Sequence, residues 1–159
     1  MNAKTILLLQ SFLLFAGTVF AWSNLLPQGG NFLKLYGTLF RFTDISVPNP
    51  FLTACLYGSL AFLIAVYWSV RVYQRPQYAG ERLLRNFLLF CVVFAGSVFL
   101  YEAADFYHLL GAGAVSVSCN PGTPPLSTPC FYGMLFFIGA FITSVFATRR
   151  LGPVSAAAA

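Results

Sequence analysis

The sequence predicts an all-α polytopic membrane protein with four transmembrane helices arranged as two parallel tandem helix-pair repeats. Two observations carry this, charge scarcity with four long apolar runs and a motif set that occurs twice. Hydrophobic residues make up 58% of the 159 residues and charged residues only 8%. A soluble domain is about 45–50% apolar and about 25% charged. Nine Lys or Arg and four Asp or Glu are too few to cover a water-facing surface, and a lipid-facing surface removes that requirement. The length fits one domain. The net charge of +5 does not indicate nucleic acid, because the basic residues form no patch with interleaved aromatics. They sit at the ends of apolar runs.

The four runs lie at residues 5–22, 51–73, 83–107 and 129–148. Each approaches the roughly 20 helical residues needed to cross about 30 Å of hydrocarbon. Helices satisfy their own backbone hydrogen bonds in lipid, and the ~10-residue alternating segments of a membrane barrel do not occur. Trp22, Trp68, Tyr73 and Tyr107 fall near run ends, as interfacial anchors do.

Orientation follows from Lys and Arg. Lys4, Arg71, Arg75, Arg82, Arg85, Arg149 and Arg150 lie on one side, and Lys34 and Arg41 on the other. The excess places both termini in the cytoplasm and residues 23–50 and 108–128 outside. The expected location is a prokaryotic cell membrane. Lys4, the following apolar run and Val19-Phe20-Ala21 also resemble a secretory signal, but the repeat argues that this segment is retained.

Phe15-Ala16-Gly17-Thr18-Val19-Phe20 matches Phe94-Ala95-Gly96-Ser97-Val98-Phe99, 79 residues on. Thr53-Ala54-Cys55-Leu56-Tyr57-Gly58 matches Thr128-Pro129-Cys130-Phe131-Tyr132-Gly133, 75 residues on. Between them, Phe32-Leu33-Lys34-Leu35-Tyr36-Gly37 resembles Phe106-Tyr107-His108-Leu109-Leu110-Gly111 at a spacing of 74. Each unit, 1–78 and 79–159, is helix, outer loop, helix. Two spans per unit return the chain to the same side, so the copies are parallel, related by a twofold axis along the membrane normal. Gly17, Gly96, Gly58 and Gly133 suit close helix contact. Phe32, Leu35, Tyr36, Leu39 and Phe40 recur at helical spacing, which predicts a short amphipathic helix on the outer interface.

Two groups of residues are candidates for chemistry. Cys119 and Cys130 flank an outer segment containing Pro121, Pro124, Pro125 and Pro129. An outward compartment permits disulfides, and a structural Cys119–Cys130 bond is the favoured reading. A redox-active pair, and a bond between the equivalent Cys55 and Cys130, are the alternatives. Cys91 lies mid-span and reads as a small apolar packing residue. No C-x-x-C occurs, which argues against the usual thiol-exchange and zinc spacings. Glu102, Asp105 and His108 stand at steps of three near the end of the third span. Such a set holds a metal or relays protons if it converges; the plainer reading is a solvated turn pairing with Lys34 or Arg41. With one His and no converging nucleophile, acyl transfer is not indicated.

Val47-Pro48-Asn49-Pro50-Phe51-Leu52-Thr53, running into Ala54-Cys55-Leu56-Tyr57-Gly58, resembles the loop-to-helix entry of vitamin K epoxide reductase-like proteins. These and the DsbB proteins are four-helix bundles that pass electrons from thiols to a quinone. The resemblance implies shuttle roles for Cys119 and Cys130 and a quinone cofactor. Two functions are therefore expected. The first is a non-enzymatic structural or accessory subunit, partnered by the lipid bilayer and by its own copies or other membrane chains, with no nucleic acid. The second is a thiol–quinone oxidoreductase, or a degenerate relative, using outward cysteines.

Overall fold

The structure, a computed structural model, describes residues 2–42, 49–109 and 123–152. Within them the chain forms α1 (Ala3–Tyr36), α2 (Ala54–Gln74), α3 (Tyr78–Phe106) and α4 (Pro129–Leu151), with single 3-10 turns at Pro50–Leu52 and Pro125–Ser127 leading into α2 and α4. All four helices are long and apolar enough to cross a membrane, and no strand occurs among the described residues. The chain is an integral membrane helix bundle.

Each boundary has a local cause. Asn2 caps α1, its Oδ1 accepting from the Thr5 N–H and hydroxyl at 2.8 and 2.7 Å. Gly37 ends α1 at φ 69°, where only glycine is free of a Cβ penalty, and its N–H donates to the Leu33 carbonyl at 2.8 Å. Thr53 and Thr128 start α2 and α4 in matching fashion. Their hydroxyls donate to the Pro50 and Pro125 carbonyls at 2.9 and 2.8 Å.

The first helix differs from the expectation of an 18-residue span followed by a separate interfacial helix. α1 runs unbroken for 34 residues, about 51 Å at 1.5 Å per residue, through Pro27. One buried stripe explains the continuity. Leu7, Gln10, Leu14, Gly17, Leu25 and Phe32 are all buried, so the same face stays covered from end to end. The segment resembling a secretory signal thus supplies core residues.

α2 and α4 meet across the diagonal of the bundle, and α1 packs on both. α3 packs closely on α4 and much less on α2. The main core cluster joins Leu14, Phe62, Ala65, Leu84, Leu88, Cys91, Phe137 and Ala140. At its centre Phe62 and Phe137 stack with centroids 3.9 Å apart and planes 8° apart. Among the four glycines expected at close contacts, only Gly17 makes one. A Cβ there would intrude on the Phe62 ring and stand 3.1 Å from the Phe136 Cβ, whereas Gly58 has nothing within 4 Å of that position.

Candidate functional site: a cysteine pair at an apolar cavity

At the end of the bundle carrying the two 3-10 turns, the first turns of α2 and α4 lie side by side. Cys55 and Cys130 each follow a Thr-Ala or Thr-Pro start, so each thiol leaves its helix one residue inside the N-terminus. Their sulfurs are 3.8 Å apart. That is contact, not a bond, since a disulfide spans about 2.05 Å. Cys91 and Cys130 carry free thiols, whereas the Cys55 sulfur is otherwise engaged. Cys130 is a free thiol; Cys119, its expected disulfide partner, lies outside the described residues.

The expected Glu102–Asp105–His108 set does not converge. Glu102 is 5% exposed and faces the bundle interior, whereas Asp105 is half-buried and His108 is exposed. His108 has φ 56°, its N–H bonds to the Asp105 carbonyl at 3.0 Å and the Leu109 N–H bonds to the Ala104 carbonyl at 2.8 Å. This is a Schellman stop with His108 in the left-handed position that favours glycine, and it turns the imidazole off the line of the two carboxylates. No group of three metal-ligating side chains forms among the described residues. Glu102 instead stands near enough to the Cys130 thiol to act on it electrostatically, and neither of its oxygens has a hydrogen-bond partner of normal geometry.

The cysteine pair borders a cavity of about 420 Å³, within the roughly 300–1,000 Å³ of small-molecule sites. Its walls come mainly from α2 and α3, the loosely packed pair. Phe62, Phe87, Phe90, Phe94 and Phe137 line it, with Cys55, Cys91 and Cys130 on its surface. Gly58 also faces it, which accounts for the open space beside that residue. The lining suits a flat apolar ring system.

A second polar cluster, at the end carrying both termini, was not visible in sequence. Glu81 is fully buried in the first turn of α3, and the Ser144 hydroxyl of α4 donates to it. The fully buried Gln10 amide of α1 lies beside it. The Glu81 Oε2 atom and both polar atoms of Gln10 lack hydrogen-bond partners. Sequence reading started the third span at residue 83 and so left Glu81 in a basic loop. The signal was present in Gln10, a lone amide in an apolar run.

Comparison with known proteins finds no matching family model, no similar curated protein and no similar solved structure.

Proposed function

We propose that this protein is a membrane thiol–disulfide oxidoreductase in which Cys55 and Cys130 exchange electrons with a quinone-type carrier held in the apolar cavity. The observation that carries the reading is the 3.8 Å approach of the two sulfurs on the wall of that cavity. Such enzymes need a second thiol within reach of the first. Close spacing in sequence is one way to supply it; here two helix N-termini supply it across the fold. Cys91 and Cys130 carry free thiols and Cys55 does not; in the proposed cycle Cys119 is the thiol that pairs with Cys55. In the cycle, two thiols of a reduced partner pass two electrons through Cys119 to Cys55. A quinone held in the cavity would supply the two-electron oxidant that joins Cys55 to Cys130 as a disulfide, taking up the two electrons and two protons the thiols lose. Cys119 retakes Cys55 and releases Cys130.

The tandem-repeat reading belongs with this proposal. Cys55 meets Cys130 and Phe62 meets Phe137, each pair 75 residues apart. Equivalent residues of two copies touch each other only at the symmetry axis, and two such contacts in the same order along both helices support parallel copies about an axis between α2 and α4.

The reading is tested on the full chain in lipid nanodiscs, acid-quenched and alkylated after incubation with a water-soluble quinone. Peptide mass analysis is expected to find Cys55 joined to Cys119 in one population and to Cys130 in another. Cys130→Ser removes the second population and abolishes quinone reduction by dithiol, and Gly58→Leu, which fills the cavity, abolishes quinone reduction while leaving the cysteines reactive. A Cys130 thiol that stays fully alkylatable under oxidant overturns the proposal.

One observation favours the accessory-subunit reading. Leu26, Leu33, Leu35, Phe40 and Phe42 are exposed on and beyond the last turns of α1, the part that exceeds a bilayer's thickness. A chain that co-purifies in defined stoichiometry and is lost on Leu33→Asp would support that role.

A further inference from the structure

We propose that Glu102 is the general base for Cys130, taking the thiol proton when Cys130 attacks Cys55 and returning it in the reverse step. The inference rests on the thiol-exchange reading above and adds to it the group that makes exchange workable in an apolar wall.

Three observations meet at one point. Cys130 is a free thiol 3.8 Å from the Cys55 sulfur, which is disulfide-bonded, the arrangement of nucleophile and electrophile. Thiol exchange proceeds through the thiolate, not the thiol. The attacking sulfur therefore needs a proton acceptor close by, and the cavity beside it is mostly apolar, with no Lys, Arg or His among its lining residues. Glu102 faces the bundle interior from the neighbouring helix α3, near enough to Cys130 to act on it electrostatically. It is buried, and neither oxygen is committed to another hydrogen bond. A buried carboxylate serving only to join helices would be held by donors, as Glu81 is by Ser144. Among the described residues, titratable groups near Glu102 include Cys130 on α4, with Cys55 of α2 behind it, and Tyr101 and the half-buried Asp105 on α3 itself.

The step balances without an added reagent. The Cys130 Sγ–H bond breaks and its proton passes to a Glu102 oxygen. The thiolate attacks the Cys55 sulfur, the Cys55–Cys130 bond forms, and the previous bond of Cys55 breaks with its electron pair on the departing sulfur. That thiolate takes up the proton that Glu102 releases. One disulfide is exchanged for another, with no net oxidation. In the opposite direction Glu102 protonates the departing Cys130, as microscopic reversibility requires.

The test uses full-length protein carrying Cys91→Ala and Cys119→Ser, so that Cys55 and Cys130 are its two thiols. The reduced protein is mixed with one equivalent of an aromatic disulfide that releases a coloured thiolate. A first release marks the mixed disulfide, assigned to Cys55 by peptide mass. A second release marks attack by Cys130. The parent is expected to give the second release at a rate that varies little around neutral pH. Glu102→Gln is expected to slow it at least about tenfold, general-base contributions being of that order or larger, and to make it rise steeply with pH as hydroxide replaces the base. Glu102→Asp, which keeps a carboxylate, should recover part of the rate. Equal rates and equal pH profiles in the parent and Glu102→Gln overturn the role of Glu102 while leaving exchange intact. No second release in the parent overturns the exchange reading itself.

Discussion

Single polar residues in this bundle divide by whether a neighbouring helix answers them. Glu81 is answered: the Ser144 hydroxyl donates to its buried carboxyl group. Removing the donor from a buried acceptor costs the desolvation of the group left behind, about 1–3 kcal/mol. Ser144→Ala is therefore expected to lower unfolding stability in detergent by about that amount, read from denaturant titration. Ser69→Ala, at the equivalent position of α2, should cost less, because the Ser69 hydroxyl donates back to its own helix at the Val66 carbonyl, 2.9 Å away. Glu102 is not answered by a donor, and that difference is what marks it for chemistry. Asn49 shows the same logic in a turn. Its side chain donates to the Leu39 and Arg41 carbonyls at 3.0 and 2.8 Å and accepts from the Phe51 N–H at 2.8 Å. Asn49 thus ties the segment after α1 to the entry of α2.

At the scale of the element, α1 is the helix whose length the sequence least foretold. Pro27, Gly29 and Gly30 each weaken a continuous helix, because proline removes a backbone donor and glycine costs helix entropy. The buried stripe through Leu25 and Phe32 outweighs both. Gly29 and Gly30 have nothing within 4 Å of where a Cβ would stand. Gly29→Ala and Gly30→Ala should each stabilise the protein by about 0.5–1 kcal/mol. Gly17→Val is expected to do the reverse, by about 1–3 kcal/mol for overpacking, because Phe62 and Phe136 already occupy that space. Thermal unfolding of the three variants in one detergent checks the contrast.

At the scale of the molecule, the two ends of the bundle carry different chemistry. One holds the termini, most of the positive charge and the Glu81 cluster; the other holds the 3-10 turns and the cysteine pair. From the distribution of Lys and Arg the first end is expected to face the cytoplasm. In a cysteine-free background, Arg75→Cys should react with a membrane-impermeant maleimide only after the cells are opened, and His108→Cys in intact cells. The opposite pattern would invert the topology and place the cysteine pair inside, where disulfides are rare.

The sequence by itself determined the spans, because hydrocarbon demands long uncharged helices and that demand is written in local composition. It also set Cys55 and Cys130 in matching motifs, Thr-Ala-Cys-Leu-Tyr-Gly and Thr-Pro-Cys-Phe-Tyr-Gly, 75 residues apart. It did not determine which sulfur meets which. Proximity in the loop pointed to Cys119 with Cys130, and only the packing of α2 against α4 brought Cys130 to Cys55. The three-residue steps through Glu102, Asp105 and His108 were legible, but each side chain's surroundings were not, because burial depends on the neighbouring helix and on a left-handed stop at His108. Periodicity fixes the face a residue occupies on its own helix. What that face meets, whether a thiol, a donor or a cavity, is decided by helix packing between residues distant in sequence.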